Sequence, residues 1–490
     1  MADKNFRPIC LLNSCKSKNE FSERQYGFRR GKSTIQAVEN VINIVRENQT
    51  DRWATLITVD VKNAFNSASW DIILRKLRRM GIPKYLLSTI DNYLEERSIQ
   101  IDKGTDMEIS AGVPQGSILG PTLWNVLYND LLEEVMPKGV HTIAYADDLA
   151  LVVTAKDKSQ LKWKADEALI QVNRWMEENE LELAPHKTEA VILRGRKERE
   201  IISFRCNGLD IQPKDSIEYL GITMGQSCQF GDHIKKSVIK AEEKAAQIMR
   251  LTSNLRGPGS RKREMLYNVV QSILVYGAPI WHGTAKKSVY KDKLTKNPKK
   301  DANQSSQCIP NCIYEGITEL IIEERQILYH REDGSTEAAK REERENTIQK
   351  WQDIWNQTED VAQWTKQLIP QVDDWLKCRH RKTDYYLSQI LTGHGSFTAY
   401  TNRIGKTDSD ACRYCSGIDT TAHTLFECPR WQIERNRVNA VIGSDLSTEN
   451  IVRFMLQDEK DWQTIYIYIR NVMKTKEVEE RQEAARIRNP

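Results

Sequence analysis

Two adjacent aspartates, Asp147 and Asp148, sit where a buried strand should exclude charge. In "HTIAYADDLALVV" (141–153) they fall between the apolar runs Ile143–Ala146 and Leu149–Val153. Burying one uncompensated carboxylate is costly, and two neighbours also repel each other. A divalent cation removes both penalties. Magnesium takes carboxylate and water oxygens and is commonly shared with a substrate's phosphates. A third carboxylate has the same setting upstream: Asp60 closes the apolar stretch "WATLITVD" (53–60). If the two strands end side by side, Asp60 meets Asp147 and Asp148. Such a trio can hold two metal ions, one activating an attacking hydroxyl and one steadying a leaving pyrophosphate.

A second constellation lies near the other end. "CRYCSGIDTTAHTLFEC" places Cys412, Cys415, His423 and Cys428 at C-x2-C-x7-H-x4-C. Three thiolates and one imidazole make a closed tetrahedral set, which points to one structural zinc ion. Arg403, Lys406, Arg413, Arg430, Arg435 and Arg437 surround the cluster, interleaved with Tyr400, Tyr414 and Trp431. Basic and aromatic side chains together suit phosphate contact and base stacking on nucleic acid. The other cysteines are scattered, and Cys308 and Cys312 have no histidine or further cysteine partners nearby. Free thiols with one metal site therefore fit better than a disulfide framework.

The elements that must position these groups are legible in the pattern. Ile35, Val38, Val41, Ile42 and Val45 recur at helical spacing after Ser33. Residues 53–61 read as a strand, 69–82 as a helix ending at Gly81, and 109–135 as a Gly/Pro-rich loop entering an apolar helix. The hairpin around the aspartates follows, then a helix at 158–180 and strands near 189–194 and 201–206. This order predicts an α+β sheet backed by helices. Trp351, Trp355 and Trp364 can share one helical face and read as core. The tail from Val472 onward reads as a solvated helix.

The chain has 490 residues, too many for one compact core, and 72 basic against 68 acidic residues give a net charge of only +4. Any basic surface is thus local. The N-terminal "MADKNFRPIC" has no apolar secretory region, and no apolar run of membrane-spanning length exists.

The blocks "VDVKNAFNS", "GVPQGSILGPTLWNVLYND", "YADDLAL", "LAPHKTEAVIL" and "YLGITM" occur in the order and spacing of the palm motifs of reverse transcriptases, and "QYGFRRGKST" resembles their fingers motif. Their style resembles the non-LTR (LINE-like) retrotransposons of insects, of the R-one type that inserts into ribosomal RNA genes. The resemblance covers residues 5–282, resumes at 321–329 and continues through the Cys/His cluster. It implies a right-hand polymerase with fingers, palm and thumb, followed by a helical region and a small zinc module. Asp60, Asp147 and Asp148 become magnesium ligands, helped by the carbonyl of Val61. Phe65 becomes the ring that blocks a ribose 2′-OH. Arg29 faces the incoming triphosphate, Gln115 lines the nucleotide pocket, Lys187 donates a proton to pyrophosphate, and Tyr219–Met224 form the primer grip. A planar, bidentate guanidinium suits the triphosphate. Small Gly112, Gly116 and Gly120 suit close passage of a template.

The resulting layout is fingers and palm at 1–230, thumb-like helices at 231–283, a polar linker at 284–314, a helical connector at 315–400, the CCHC module at 401–432 and a helical tail at 433–490. The expected activity is RNA-directed DNA synthesis at nicked target DNA, in the nucleus, with RNA template, DNA primer and target, and dNTPs as partners and no membrane. Two departures from the family stand out: only "SCKSKNEF" separates "RPICLLN" from "SERQYGFRRG", and a Lys-rich stretch replaces much of the thumb. The family's N-terminal apurinic-type endonuclease is missing, and the 62 residues after Cys428 are too few for a restriction-like nuclease. The chain thus reads as a fragment or decayed copy. A non-catalytic nucleic-acid-binding remnant, or another right-hand polymerase such as an intron maturase or telomerase relative, are the competing readings. The intact aspartates disfavour the remnant. The Cys/His cluster and "YLGITM" disfavour the other polymerases.

Overall fold

The computed structural model describes residues 21–48, 50–95, 97–102, 105–114, 116–195, 202–251, 260–295, 317–357 and 362–488. They form two compact units, divided between His233 and Ile234.

The first unit is built on four antiparallel strands in the order β4-β5-β1-β6: β1 (Trp53–Val59), β4 (Val140–Tyr145), β5 (Asp148–Ala155) and β6 (Glu189–Arg194). β5 is central, which explains its unbroken apolar run: every residue from Leu149 to Ala155 is buried. Leu149, Leu151 and Val153 join a core with residues of α2 (Trp70–Arg79), α3 (Lys84–Leu94), α4 (Gly120–Glu133) and α5 (Lys158–Glu178). α1 (Thr34–Glu47) packs on β4 and β5. Its start is capped as the sequence predicts, Ser33 accepting from the Gln36 N–H. Its last carbonyls are held from the sheet: Arg194 donates to the carbonyls of Val45, Asn48 (2.8 Å) and Asp51 (3.1 Å).

Two elements escape the sequence reading. α3 follows Pro83 and buries Leu86, Ile90 and Leu94. A polar hairpin joins β2 (Ser98–Asp102) to β3 (Thr105–Glu108). Beyond the sheet, β7 (Phe204–Cys206) and β8 (Leu209–Ile211) turn at Asn207-Gly208, both at positive φ, a favoured two-residue hairpin sequence. β9 (Ser216–Tyr219) and β10 (Ile222–Gly225) form the "YLGITM" hairpin.

The second unit is helical. Ser288–Thr295, inside the stretch expected as polar linker, is a helix with Leu294 buried. Residues 296–316, with Cys308 and Cys312, lie outside the described residues. Trp351 and Trp355 are buried on the helix Glu337–Gln357. Trp364 lies on a separate helix, Gln363–Leu368, so the three do not share one face. The tail is also not simply solvated. The helix Glu459–Arg488 buries Trp462, Ile465, Ile469, Val472 and Met473, and even Lys476 is 1 % exposed. Its apolar positions are sparse among charges, which hides the buried face in the sequence. Among the described residues, no helix is long and apolar enough to cross a membrane.

Candidate active site

β1 and β5 run antiparallel with Val59 opposite Leu149, so Asp60 and Asp148 leave the same sheet end on adjacent strands. β4 and β5 close at Tyr145 opposite Asp148, leaving Ala146 and Asp147 as a two-residue turn. The three carboxylates therefore converge as the motif spacing predicts. The exit from β1 is tied down on its far side: Asp60 O accepts from Ala184 N (2.9 Å), and Lys62 N donates to Glu182 O (2.8 Å). Asp148 is pushed up to about 6 by desolvation, then by Asp147 and Asp60. Asp147 is raised by burial and by Asp60, against a backbone hydrogen bond that lowers it. An all-oxygen set in which Asp60 raises Asp147 and both raise Asp148 fits a hard divalent cation such as magnesium.

Asp60 and Asp148 line a cleft of about 270 Å³ with Lys187, Glu189, Glu218 and Tyr219. Among the described residues, the buried Tyr128 hydroxyl has no hydrogen-bond partner, and burial and the three aspartates oppose its ionisation. Tyr219, on the expected primer-grip hairpin, is buried, and its hydroxyl likewise finds no partner among the described residues; it is raised by burial and by Asp148. Leu220, at the hairpin tip, lines the cleft with φ +47, a strained value for a bulky residue.

The other expected residues are distributed as follows. Lys187 reaches the trio: its Nζ lies 3.0 Å from Asp60 Oδ2, an ion pair without the alignment of a hydrogen bond. Phe65 sits on the turn Ala64–Asn66, half-buried, 5.0 Å from the Trp124 ring and edge-on to Phe28 at 6.1 Å. Val61 is buried and bridges to Leu183. Arg29 is engaged within its own loop, donating to Phe21 O (3.2 Å) and Ser22 O (3.0 Å) and lying 3.5 Å from Glu23. Gln115 lies outside the described residues. Gly112 and Gly120 are required by the fold itself. Gly112 has φ +101 and its missing Cβ would stand 3.0 Å from Asn66 O, while that of Gly120 would stand 2.6 Å from Pro114 O. Only Gly116 faces open space. Sequence reasoning missed the side chains that hold the turn, Gln25 and Trp124. The Trp124 indole N–H donates to Ala146 O at 3.0 Å.

In the second unit the four cluster residues meet, their ligand atoms all within 4.8 Å of one another. Cys412 Sγ and Cys428 Sγ are 3.9 Å apart. Two sulfurs on one tetrahedral zinc would lie about 3.8 Å apart. Cys415 Sγ is 3.2 Å from His423 Nε2, and His423 Nδ1 faces Glu427 at 3.5 Å, the arrangement that orients a ligating imidazole. Gly417 leaves room for that ring: its Cβ would lie 2.9 Å from His423 Cε1. Cys428 is pushed up to about 11 by burial and by its two thiol neighbours. These residues could hold a zinc ion.

The surrounding basic residues divide. Arg435 is buried and donates to the carbonyls of Leu425, Glu427 and Cys428, closing the turn that carries His423 and Cys428. Arg430 pairs with Glu479 at 3.4 Å and covers the buried Trp431. Tyr414 donates to Glu479. These four side chains expected on a nucleic-acid face are thus turned inward or toward the helix Glu459–Arg488, which also contributes a buried Lys476–Asp419 ion pair at 2.6 Å. Arg403, Lys406, Arg413 and Arg437 stay exposed.

Residues 2–224, a mixed helix-and-sheet region with three carboxylates at one sheet end, match the family model of the reverse transcriptase (RNA-dependent DNA polymerase). The similarity extends further in the mobile-element proteins. A 115 kDa protein of the type-1 retrotransposable element R1DM of Drosophila melanogaster is 26 % identical over 485 residues, covering 91 % of this chain and 46 % of that protein. The retrovirus-related Pol polyprotein of the type-1 element R1 of Bradysia coprophila is 23 % identical over 480 residues, covering 87 % and 47 %. The chain thus spans about half the length of these curated relatives. Telomerase from Candida albicans, in complex with a fragment of telomeric RNA, superposes loosely: TM-score 0.36, 10 % identity, covering 74 % of this chain and 56 % of that one.

Proposed function

We propose that this chain is the RNA-directed DNA polymerase of a non-LTR retrotransposon, copying element RNA into DNA from a primer at nicked target DNA in the nucleus. The observation that supports it is the convergence of Asp60, Asp147 and Asp148 at one sheet end beside an open cleft. The three carboxylates, with the carbonyl of Val61, would hold two magnesium ions. When bound, these supply Lewis acidity at the attacking primer hydroxyl and at the departing pyrophosphate. Phe65 blocks the 2′ position of the incoming dNTP, its ring fixed by Trp124 and Phe28. Arg29 takes the triphosphate in place of its loop carbonyls, and Gln115 lines the same pocket. Lys187, now paired with Asp60, is released toward the pyrophosphate and protonates it. Cys412, Cys415, His423 and Cys428 hold one structural zinc ion, and the exposed Arg403, Lys406, Arg413 and Arg437 contact template or target phosphates.

Primer extension on an RNA template with purified chain and magnesium tests this. Template-directed dNTP addition is expected. A folded chain that binds primer–template but adds no nucleotide would favour the remnant reading.

A further inference from the structure

We propose that Gln25 is a positioning residue of the metal site: its buried amide fixes the backbone of the Ala146–Asp147 turn and thereby sets Asp147 and the adjoining Asp148 for their cations. The proposal rests on the reading of Asp147 and Asp148 as ligands.

Residues 24–26 run alongside the outer edge of β4. Tyr26 N donates to Ala144 O at 2.8 Å, Ala144 N donates to Arg24 O at 2.9 Å, and Gln25 bridges Ala144 in parallel. This places the Gln25 side chain, 2 % exposed, against the turn. Its Oε1 accepts from Ala146 N at 3.0 Å and from Gly27 N at 2.8 Å, and its Nε2 donates to Ala146 O at 3.2 Å. One side chain thus satisfies both backbone groups of a single turn residue.

That residue needs external support. Ala146 has φ +60, a conformation that two-residue hairpins normally assign to Gly, Asn or Asp. Alanine has neither glycine's freedom nor a side chain able to bond its own backbone, and such strain persists only where surroundings impose it. Space has been cleared for the contact. A Cβ on Gly27 would fall 2.0 Å from Ala146 N, and Asn125 holds the Gly27 carbonyl at 3.2 Å. A buried glutamine serving only its own loop would not need two bonds to a turn 121 residues away.

The test uses the full chain and Gln25→Met, which keeps length and removes both polar functions. Manganese binding is titrated in solution, amide hydrogen exchange is followed across 143–150, and melting is recorded without divalent ions. Orienting groups behind metal ligands typically contribute ten- to a hundredfold in affinity, so manganese affinity should fall about tenfold or more. Exchange at 143–150 should accelerate, while primer–template affinity stays as in the parent. Gln25→Glu keeps the acceptor oxygen and should retain the Ala146 amide protection that Gln25→Met loses. Unchanged exchange and manganese affinity in folded Gln25→Met would overturn the proposal. If that variant does not fold, an Ala146 amide that exchanges freely in folded Gln25→Glu would overturn it, because the acceptor bond would then hold nothing. Asp147→Asn is run in parallel. If it keeps full manganese binding, the ligand reading itself fails; if only Gln25→Met does, the clamp alone is wrong.

Discussion

Asp148 is where three converging carboxylates leave a measurable trace. Its proton affinity is raised from 3.8 to about 6 in the fold, so between those pH values the folded chain binds a proton that the unfolded chain has released. Rising pH through this window therefore costs stability, and at neutral pH without divalent ions the trio destabilises the fold. Asp148→Asn is expected to raise the melting temperature at pH 7 in chelator, with the gain gone below pH 4. In the parent, cations must displace that proton, so manganese affinity should fall as pH drops below about 6. An Asp148→Asn chain that melts lower than the parent at pH 7 would contradict the electrostatics. Phe65 makes a separate prediction. Phe65→Val should improve ribonucleotide use relative to dNTP by on the order of tenfold or more, measured by competing incorporation. Unchanged selectivity would reduce the ring to packing against Trp124 and Phe28. The aspartates were legible because charge inside an apolar strand demands compensation. Gln25 was not, because its partner is a distant backbone turn that no spacing rule reaches. Arg435 was misread for a related reason: nothing in the sequence distinguishes a phosphate-seeking arginine from one closing its own turn carbonyls.

The strands of the four-stranded sheet and the helices behind them were readable because each carries one strong period: an unbroken apolar run in β5, a 3.6-residue stripe in α1. β2 and β3 were invisible because their hairpin is polar and short. The helix Glu459–Arg488 was misjudged because one polar residue on its buried face is charged and paired. The side chains of Lys476 and Asp419 are 2 % and 3 % exposed, 2.6 Å apart, with the Thr424 hydroxyl 3.2 Å from Lys476 Nζ. Removing one member leaves the other charged and buried, so Lys476→Met should destabilise this unit by about 3–5 kcal/mol. Denaturant unfolding monitored within residues 412–428 reports it. A loss below about 1 kcal/mol would mean that water reaches the pair.

The contact also changes what a Cys/His module in this chain is. It is no isolated finger, since Tyr468 bonds Leu425 O at 2.7 Å while Arg430 and Tyr414 both engage Glu479. Cys412→Ser with Cys415→Ser should release about one zinc per chain and loosen the helix Glu459–Arg488 along with the cluster. Template affinity and its salt dependence should both weaken, as fewer phosphates are neutralised. Elemental analysis and binding at several salt concentrations check this. A double variant that loses zinc yet binds with unchanged affinity and salt slope would assign the cluster a purely structural part. The sheet that gathers the aspartates belongs to the other compact unit. Synthesis on a pre-annealed template should therefore survive in that variant.

The most direct test of the central claim compares the parent with Asp60→Asn and Asp147→Asn, scoring RNA-templated extension and template binding on the same preparations. If these carboxylates hold the catalytic cations while phosphate contacts elsewhere carry affinity, extension should fall by about a thousandfold or more with binding within a few-fold. Near-parental extension in either variant would remove that aspartate from the metal site and contradict the assignment of the chemistry to this sheet end.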